Sequence, residues 1–145
     1  MILRPARTTD AGKVGAILSE FIDSTVWMPR IHTRAEDVNF CAMMIDRGWV
    51  TVAEDDTPRA FLAQDGNEVN CLYVANDAQG QGIGKALLDY AKTQTERLEL
   101  WTFQANDRAR KFYAREGFAE VELTDGQRND EKLPDVFLVW ERADS

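Results

Sequence analysis

Residues 72–88 read LYVANDAQGQGIGKALL, and this stretch decides how the rest of the chain is interpreted. It begins with strand-favouring residues, passes through a polar loop and reaches three glycines at alternating positions, Gly80, Gly82 and Gly84. A helical pattern of apolar residues starts directly behind them. Because a helix that begins in this way presents free backbone N–H groups and the positive end of its dipole, the stretch predicts a binding site for an anion, most often a phosphate.

Two common phosphate-binding motifs fit these glycines poorly. A P-loop needs a further glycine and a Ser or Thr after Gly-Lys, whereas Gln79 and Ala86 occupy those two positions. The dinucleotide fingerprint G-x-G-x-x-G has a different spacing and opens an early βαβ unit. Glu99 lies near the offset of a ribose-binding acid, but it falls inside a predicted strand. A glycine-rich turn that binds no ligand stays open as the third alternative.

A second block of residues lies downstream of the glycines. It consists of Asn106, Ala109, Phe112-Tyr113 and Gly117-Phe118. Together with Gln79-x-x-Gly82-x-Gly84, this block resembles the GNAT superfamily of N-acetyltransferases. That family has Arg/Gln-x-x-Gly-x-Gly/Ala between a strand and a helix, and Asn-x-x-Ala-x-x-Phe-Tyr-x-x-x-Gly-Phe further on. The resemblance is close over residues 68–118 and extends loosely to the whole chain through the order of its predicted elements.

The resemblance implies acetyl-CoA as co-substrate, with the glycine loop around its pyrophosphate. The loop residues implied to bind it are Gln79, Gly80, Gln81, Gly82, Ile83, Gly84 and Lys85, and the others are Leu72, Tyr73, Val74 and Asn106. In the family the strand before the loop is splayed from its neighbour, and the pantetheine arm pairs with its backbone. An N–H group there would polarise the thioester carbonyl. Asn106 fits a helix N-cap equally well.

Tyr113 matches the general acid of the family, which protonates the departing thiolate. The alternative is that Tyr113 only packs beside Phe112. Glu68 is the candidate base, because a two-residue period places it on the same face of the strand as Leu72. The plain alternative for Glu68 is an exposed acid at a strand end. The resemblance implies direct attack by the amine in a ternary complex, without an acyl-enzyme.

The acceptor of the acetyl group is expected beside the loop between the first two helices. Trp27 could contact a cationic amine there, and His32 could act as a second base. Ordinary packing for Trp27 and a surface position for His32 are the alternatives. The partner is predicted to be a small-molecule or peptide amine. Two other functions stay open: a catalytically weak acyl-CoA-binding regulatory module and a nicotinamide-dinucleotide-binding enzyme.

The predicted elements run strand, two helices, three strands, helix, strand, helix and two strands. This order predicts an α/β (α+β) fold, with a mixed, mostly antiparallel twisted sheet of about six to seven strands and helices on both faces. The 145 residues suit a single N-acetyltransferase domain over 1–145.

Composition limits the partners and the compartment. The net charge of −8 argues against nucleic-acid binding. No signal peptide and no apolar run of about 20 residues is present, so the sequence predicts a cytoplasmic protein without a membrane segment. Cys41 and Cys71 have neither metal nor disulfide spacing, and Cys71 is expected to pack in the core. No metal site is predicted, and a homodimer is possible because dimers are common in the superfamily.

Overall fold

The computed structural model describes residues 1–143, so the last two residues of the predicted domain 1–145 lie outside the described residues. The strands are β1 (Ile2–Pro5), β2 (Val50–Glu54), β3 (Pro58–Asp65), β4 (Glu68–Val74), β5 (Arg97–Phe103), β6 (Ala119–Thr124) and β7 (Asp135–Glu141). The helices are α1 (Ala11–Ser24), α2 (Arg34–Asp46), α3 (Ile83–Gln94) and α4 (Asp107–Arg115). The seven strands form one sheet in the order β1-β2-β3-β4-β5-β7-β6. The predicted fold class is confirmed.

Local sequence signals explain where two of the helices begin. The Thr33 hydroxyl accepts a hydrogen bond from Glu36 N at 3.1 Å, and the Glu36 carboxylate accepts one from Thr33 N at 3.0 Å. This reciprocal pair starts α2, since it satisfies N–H groups that the first helical turn cannot pair. Asn106 Oδ1 accepts from Ala109 N at 3.1 Å and starts α4 in the same manner.

The helices cover both faces of the sheet and create two hydrophobic cores. One core lies under α1 and α2 and includes Val14, Cys41, Met44, Val52 and Phe61. The other lies under α3 and α4 and includes Leu62, Leu87, Leu98, Tyr113 and Leu138. Strands β2 and β3 contribute side chains to both cores, so they lie between the two helical layers.

The sheet opens between its fourth and fifth strands. Strands β1 to β4 pair antiparallel, and so do β5, β7 and β6. Between these two halves, β4 and β5 run parallel and pair only at Glu68 and Glu99. Beyond this point the two strands separate, so the edge of β4 that faces β5 keeps unpaired backbone groups. The opening is the framework of the candidate site.

A β-bulge interrupts β4 close to the opening. Cys71 pairs with Ala63 of β3, but the next pair joins Val69 to Gln64. Asn70 is therefore an extra residue that β3 does not match.

The bulge reverses the alternation of side chains in the first part of β4. Val69 packs in the same core as Leu72, whereas Cys71 packs in the opposite core. Glu68, which precedes Val69, therefore lies on the face opposite to Leu72. The expectation that Glu68 and Leu72 share a face is wrong, because it assumed an unbroken two-residue period.

Candidate functional site

A cavity of about 560 Å³ fills the opening between β4 and β5. Eleven of the predicted site residues line it: Leu72, Tyr73, Val74, Gln79, Gly80, Gly82, Ile83, Gly84, Lys85, Asn106 and Tyr113. Four others do not line it: Gln81, Glu68, Trp27 and His32. The structure thus brings the glycine loop, β4 and α4 together around one space, with the remaining candidates outside its wall.

The glycine loop forms one end of the cavity. Gly80 and Gly82 both have φ of 78°, in the left-handed region that glycine adopts without strain. Gly82 is the N-cap of α3, which starts at Ile83. Within residues 1–143, no backbone N–H from 80 to 85 donates to another loop or to a side chain. Several donors at a helix N-terminus are thus free for an anion such as a pyrophosphate.

Cationic side chains surround this end of the cavity. Lys85 Nζ is held by Asp89 Oδ2 at 3.0 Å and Glu116 Oε1 at 3.1 Å, so its charge is already compensated. Arg108 and Arg115 of α4 also line the cavity. Arg108 Nη1 donates to Gln79 Oε1 and thereby ties α4 to the glycine loop.

Arg108 and Arg115 were not among the residues predicted from the sequence. The available signal was helical spacing, because residues 108, 112 and 115 recur on one face of α4. Lys85, by contrast, had been implied by the glycine motif, and its two carboxylate partners became visible only in the structure.

Tyr113 stands in the wall of the cavity on α4. Its ring packs against Phe112 and Phe118, with centroid distances of 5.2 and 5.3 Å. The Tyr113 hydroxyl has no hydrogen-bond partner within the described residues. Every fully buried side-chain polar atom in these residues has a partner, so the Tyr113 hydroxyl is not fully buried and opens into the cavity. Burial raises the pKa of Tyr113 well above its ordinary value. The phenol is therefore protonated at neutral pH and can donate a proton.

Aromatic side chains form the other end of the cavity. Phe21, Tyr73, Trp101 and Phe103 line it there, and Phe21 packs on Tyr73 with ring centroids 4.9 Å apart. Burial raises the pKa of Tyr73 well above its ordinary value. Apolar rings suit the alkyl part of an amine, and aromatic ring faces also attract its charged end.

The loop between α1 and α2, residues 25–33, lies over the aromatic end, and we call it the acceptor loop. Trp27 of this loop packs against Phe21 at 6.4 Å and against Phe103 at 5.7 Å between centroids. Trp27 thus contacts both α1 and β5. It lies behind Phe21 and Phe103, which line the cavity, and does not line the cavity itself. His32 is half-exposed, with Nδ1 3.6 Å from Glu36 Oε2 and Nε2 3.9 Å from Asp130 Oδ2.

The cavity offers little for other types of chemistry. Glu116 is its one carboxylate among the described residues, and it is bound by Lys85. Burial raises the pKa of the Cys41 thiol to about 12 and that of Cys71 still further, so neither forms a ready nucleophile. No group of three or more metal-binding side chains lies together within residues 1–143.

None of the helices in this range is long and apolar enough to cross a membrane.

Known proteins are similar to this chain in sequence or in fold. Peptidyl-lysine N-acetyltransferase YjaB of Salmonella typhimurium strain LT2 is 30% identical over 118 residues, which cover 80% of this chain and 81% of that protein. Apo-form YjaB from Escherichia coli, solved in solution, has a TM-score of 0.80 at 21% identity over 99% of this chain and 100% of that chain. The structure of yncA from Salmonella typhimurium with its cofactor acetyl-CoA has a TM-score of 0.77 at 16% identity, over 100% and 95% of the two chains.

A family model described as "Acetyltransferase (GNAT) domain" matches residues 34–120, which include the glycine loop and Tyr113. The family prediction made from the two motifs is thereby confirmed, and the dinucleotide alternative is set aside. The chain belongs to the GNAT family of acetyltransferases, enzymes whose acetyl donor is acetyl-CoA.

Proposed function

We propose that residues 1–145 form one domain that transfers an acetyl group from acetyl-CoA to the ε-amino group of a lysine side chain in a peptide. The separation of β4 and β5 carries this proposal, because the glycine loop and the aromatic side chains line the cavity that it opens. The name of the relative that is 30% identical over 80% of this chain supports a lysine acceptor. A small-molecule amine is the second candidate, since the same cavity would admit one.

The free N–H groups of residues 80–85 would hold the pyrophosphate of acetyl-CoA, and Arg108 and Arg115 would add positive charge. The unpaired edge of β4 offers N–H and C=O groups to an extended arm with amide bonds. This arrangement would direct the acetyl end of the cofactor toward the middle of the cavity, where the Tyr113 hydroxyl opens.

Bound acetyl-CoA supplies the thioester, and the amine nitrogen forms the new C–N bond as the C–S bond breaks. The electron pair of that bond goes to sulfur, and Tyr113 gives its proton to the thiolate. The attacking neutral amine loses one proton as the amide forms, and this proton passes through water to the Tyr113 phenolate, which restores the phenol. The buried thiol of Cys71 takes no part, which favours direct attack over an acyl-enzyme.

The pH dependence follows from the groups in the cavity. A lysine amine has a pKa of about 10.4, and only its neutral form attacks, so kcat/KM should rise about tenfold per unit from pH 7 to about pH 9. The raised pKa of Tyr113 keeps the acid protonated over this range, so no decline is expected. Initial rates at constant ionic strength measure this profile. A plateau from about pH 7 would instead reveal a base in the protein, and Glu68→Gln would then show whether Glu68 is that base.

The proposed function is tested by CoA release with a panel of acceptors. The panel contains lysine peptides, the same peptides with acetylated lysine, free amino acids and small amines. We expect release with the unmodified lysine peptides and an increase of 42 Da at lysine, from the acetyl group that replaces one hydrogen. Release with small amines alone would support the second candidate. Acetyl-CoA binding in calorimetry without any release would support the regulatory module and contradict the enzyme.

A homodimer and a cytoplasmic location stay predictions. Light scattering coupled to size-exclusion chromatography measures the first, and fractionation of the source cells measures the second.

A further inference from the structure

One guanidinium ties the acceptor loop to both of its flanking helices. Arg30 Nε donates to Asp23 Oδ1 of α1 at 2.6 Å, and Nη2 donates to the Ser19 carbonyl of α1 at 3.2 Å. Nη1 donates to Asp37 Oδ2 of α2 at 3.0 Å and to the His32 carbonyl of the loop itself at 2.9 Å. All three nitrogens are occupied, so Arg30 has little capacity left to bind an acceptor directly.

The partner of Arg30 on α2 is a buried charge. Asp37 has a relative exposure of 4%, and its Oδ2 also accepts a hydrogen bond from Ser19 Oγ at 2.6 Å. In the described residues Arg30 is the only cation that pairs with Asp37. A buried carboxylate is costly without a positive partner, so the position of Arg30 is strongly determined.

The backbone of the acceptor loop has few other anchors. Met28 N donates to the Thr25 carbonyl at 3.1 Å. At the end of the loop, the Thr33 carbonyl accepts a hydrogen bond from Asp37 N at 3.0 Å. No further backbone–backbone hydrogen bond between residues 28 and 33 is found in the part of the chain that the structure describes. The Arg30 side chain therefore supplies the fixed points that the backbone itself lacks.

The fixed loop determines where Trp27 lies. Trp27 is three residues before Arg30, and its ring packs against Phe21 and Phe103. These two phenylalanines line the aromatic end of the cavity. If the loop moved, Trp27 would no longer pack against Phe21 and Phe103 at the aromatic end of the cavity.

We propose that Arg30 is a positioning residue for the acceptor, which acts by holding the acceptor loop against Asp37 and thereby keeps Trp27 behind the aromatic end of the cavity. The effect on acceptor binding rests on the proposed function, whereas the effect on the loop does not. Arg30 lies in the loop that was expected near the acceptor. The structure assigns its charge to the protein rather than to the substrate.

The first test compares Arg30→Lys with Arg34→Ala. Lysine keeps the positive charge, but its single nitrogen replaces the guanidinium group whose nitrogens reach both helices. We expect the KM for the acceptor peptide to rise about tenfold, with kcat and the KM for acetyl-CoA within about twofold of wild type. Arg34 is a matched control, because it pairs with the same Asp23, at 2.8 Å, yet its side chain is 76% exposed. Arg34→Ala should leave all three constants within about twofold.

The second test needs no substrate. Amide hydrogen exchange should become faster in residues 26–32 of Arg30→Lys and of Asp37→Asn, with little change in β4 or α3. The double variant should be no worse than the poorer single variant, because both changes remove the same contact. Millimolar guanidinium should partly restore the acceptor KM of Arg30→Ala, and sodium should not.

These results separate the possible failures. If wild type acetylates no amine, the proposed function fails, and exchange in the acceptor loop still decides whether Arg30 holds it. Unchanged exchange in Arg30→Lys, or an equal change in both KM values and kcat, would overturn the positioning role. Should Arg30→Ala not fold, Arg30→Lys and Asp37→Asn give the same comparison.

Discussion

Replacement of Tyr113 by phenylalanine is expected to lower kcat by about 10²–10⁴-fold, which is the usual contribution of a positioned proton donor. The substitution removes only the hydroxyl, which opens into the cavity and has no protein partner to lose. The ring keeps its packing against Phe112 and Phe118. Acetyl-CoA affinity should therefore stay within about twofold of wild type, because the lost interaction forms only as the thiolate leaves. Steady-state rates and calorimetry measure the two quantities.

Tyr90→Phe is the matched control for this prediction. It is the same chemical change on α3, at a side chain that is 42% exposed. Its kcat should equal that of wild type. A Tyr113→Phe enzyme with normal kcat would remove Tyr113 from the mechanism. Tyr73→Phe would then be the next variant to measure, because the Tyr73 phenol lines the same cavity.

Substitution of Gly82 by glutamate is expected to abolish useful binding of acetyl-CoA. A side chain at a φ of 78° strains the backbone by roughly 1–2 kcal/mol. The new carboxylate also lies beside the free N–H groups, where it repels a pyrophosphate. Because two charges about 4 Å apart interact by about 4 kcal/mol at an effective dielectric of about 20, we expect the Kd to rise by at least about 100-fold. Calorimetry with acetyl-CoA measures this change.

Gly66→Glu provides the comparison for Gly82→Glu. Gly66 also has a positive φ, of 59°, and a Cβ there would meet nothing within 4 Å. It lies in the turn between β3 and β4, away from the cavity lining. The control introduces the same charge and a similar backbone strain, so it should lose stability but keep acetyl-CoA binding. Equal binding loss in both variants would show a global effect and contradict the role of the glycine loop.

The glycine loop and Tyr113 could be found from sequence because their chemistry is local. Free N–H groups at the start of α3 follow from the glycines and the helical pattern behind them. Tyr113 was identified because the block that starts at Asn106 resembles a GNAT motif, and Asn106 caps the helix that carries Tyr113. Within one helix, spacing along the chain fixes spacing in space. The relative positions of Asn106 and Tyr113 could therefore be predicted without knowledge of the rest of the fold, and both line the same cavity.

Glu68 and Arg30 show where such reasoning ends. The face of the sheet on which Glu68 lies depends on the bulge at Asn70. This bulge arises because no residue of β3 pairs with Asn70. The loop that contains Arg30 was expected near the acceptor, but the three nitrogens of Arg30 bind Ser19, Asp23, His32 and Asp37. Those partners come from two helices and from the loop itself. No pattern within a single segment contains this information.

The sequence by itself determined the element order, the caps of α2 and α4, the glycine loop and the place of Tyr113 on α4, because each depends on residues a few positions apart. The tertiary structure decided that β4 and β5 pair at one point and then separate, that aromatic side chains from α1, β4 and β5 meet across the opening, and that Arg30 serves the acceptor loop. Residues 72–88 thus specify a helix N-terminus with free N–H groups in any fold that preserves the strand, loop and helix. The cavity beside it exists only because β4 and β5 diverge there, which is a property of how the whole sheet packs between its two helical layers.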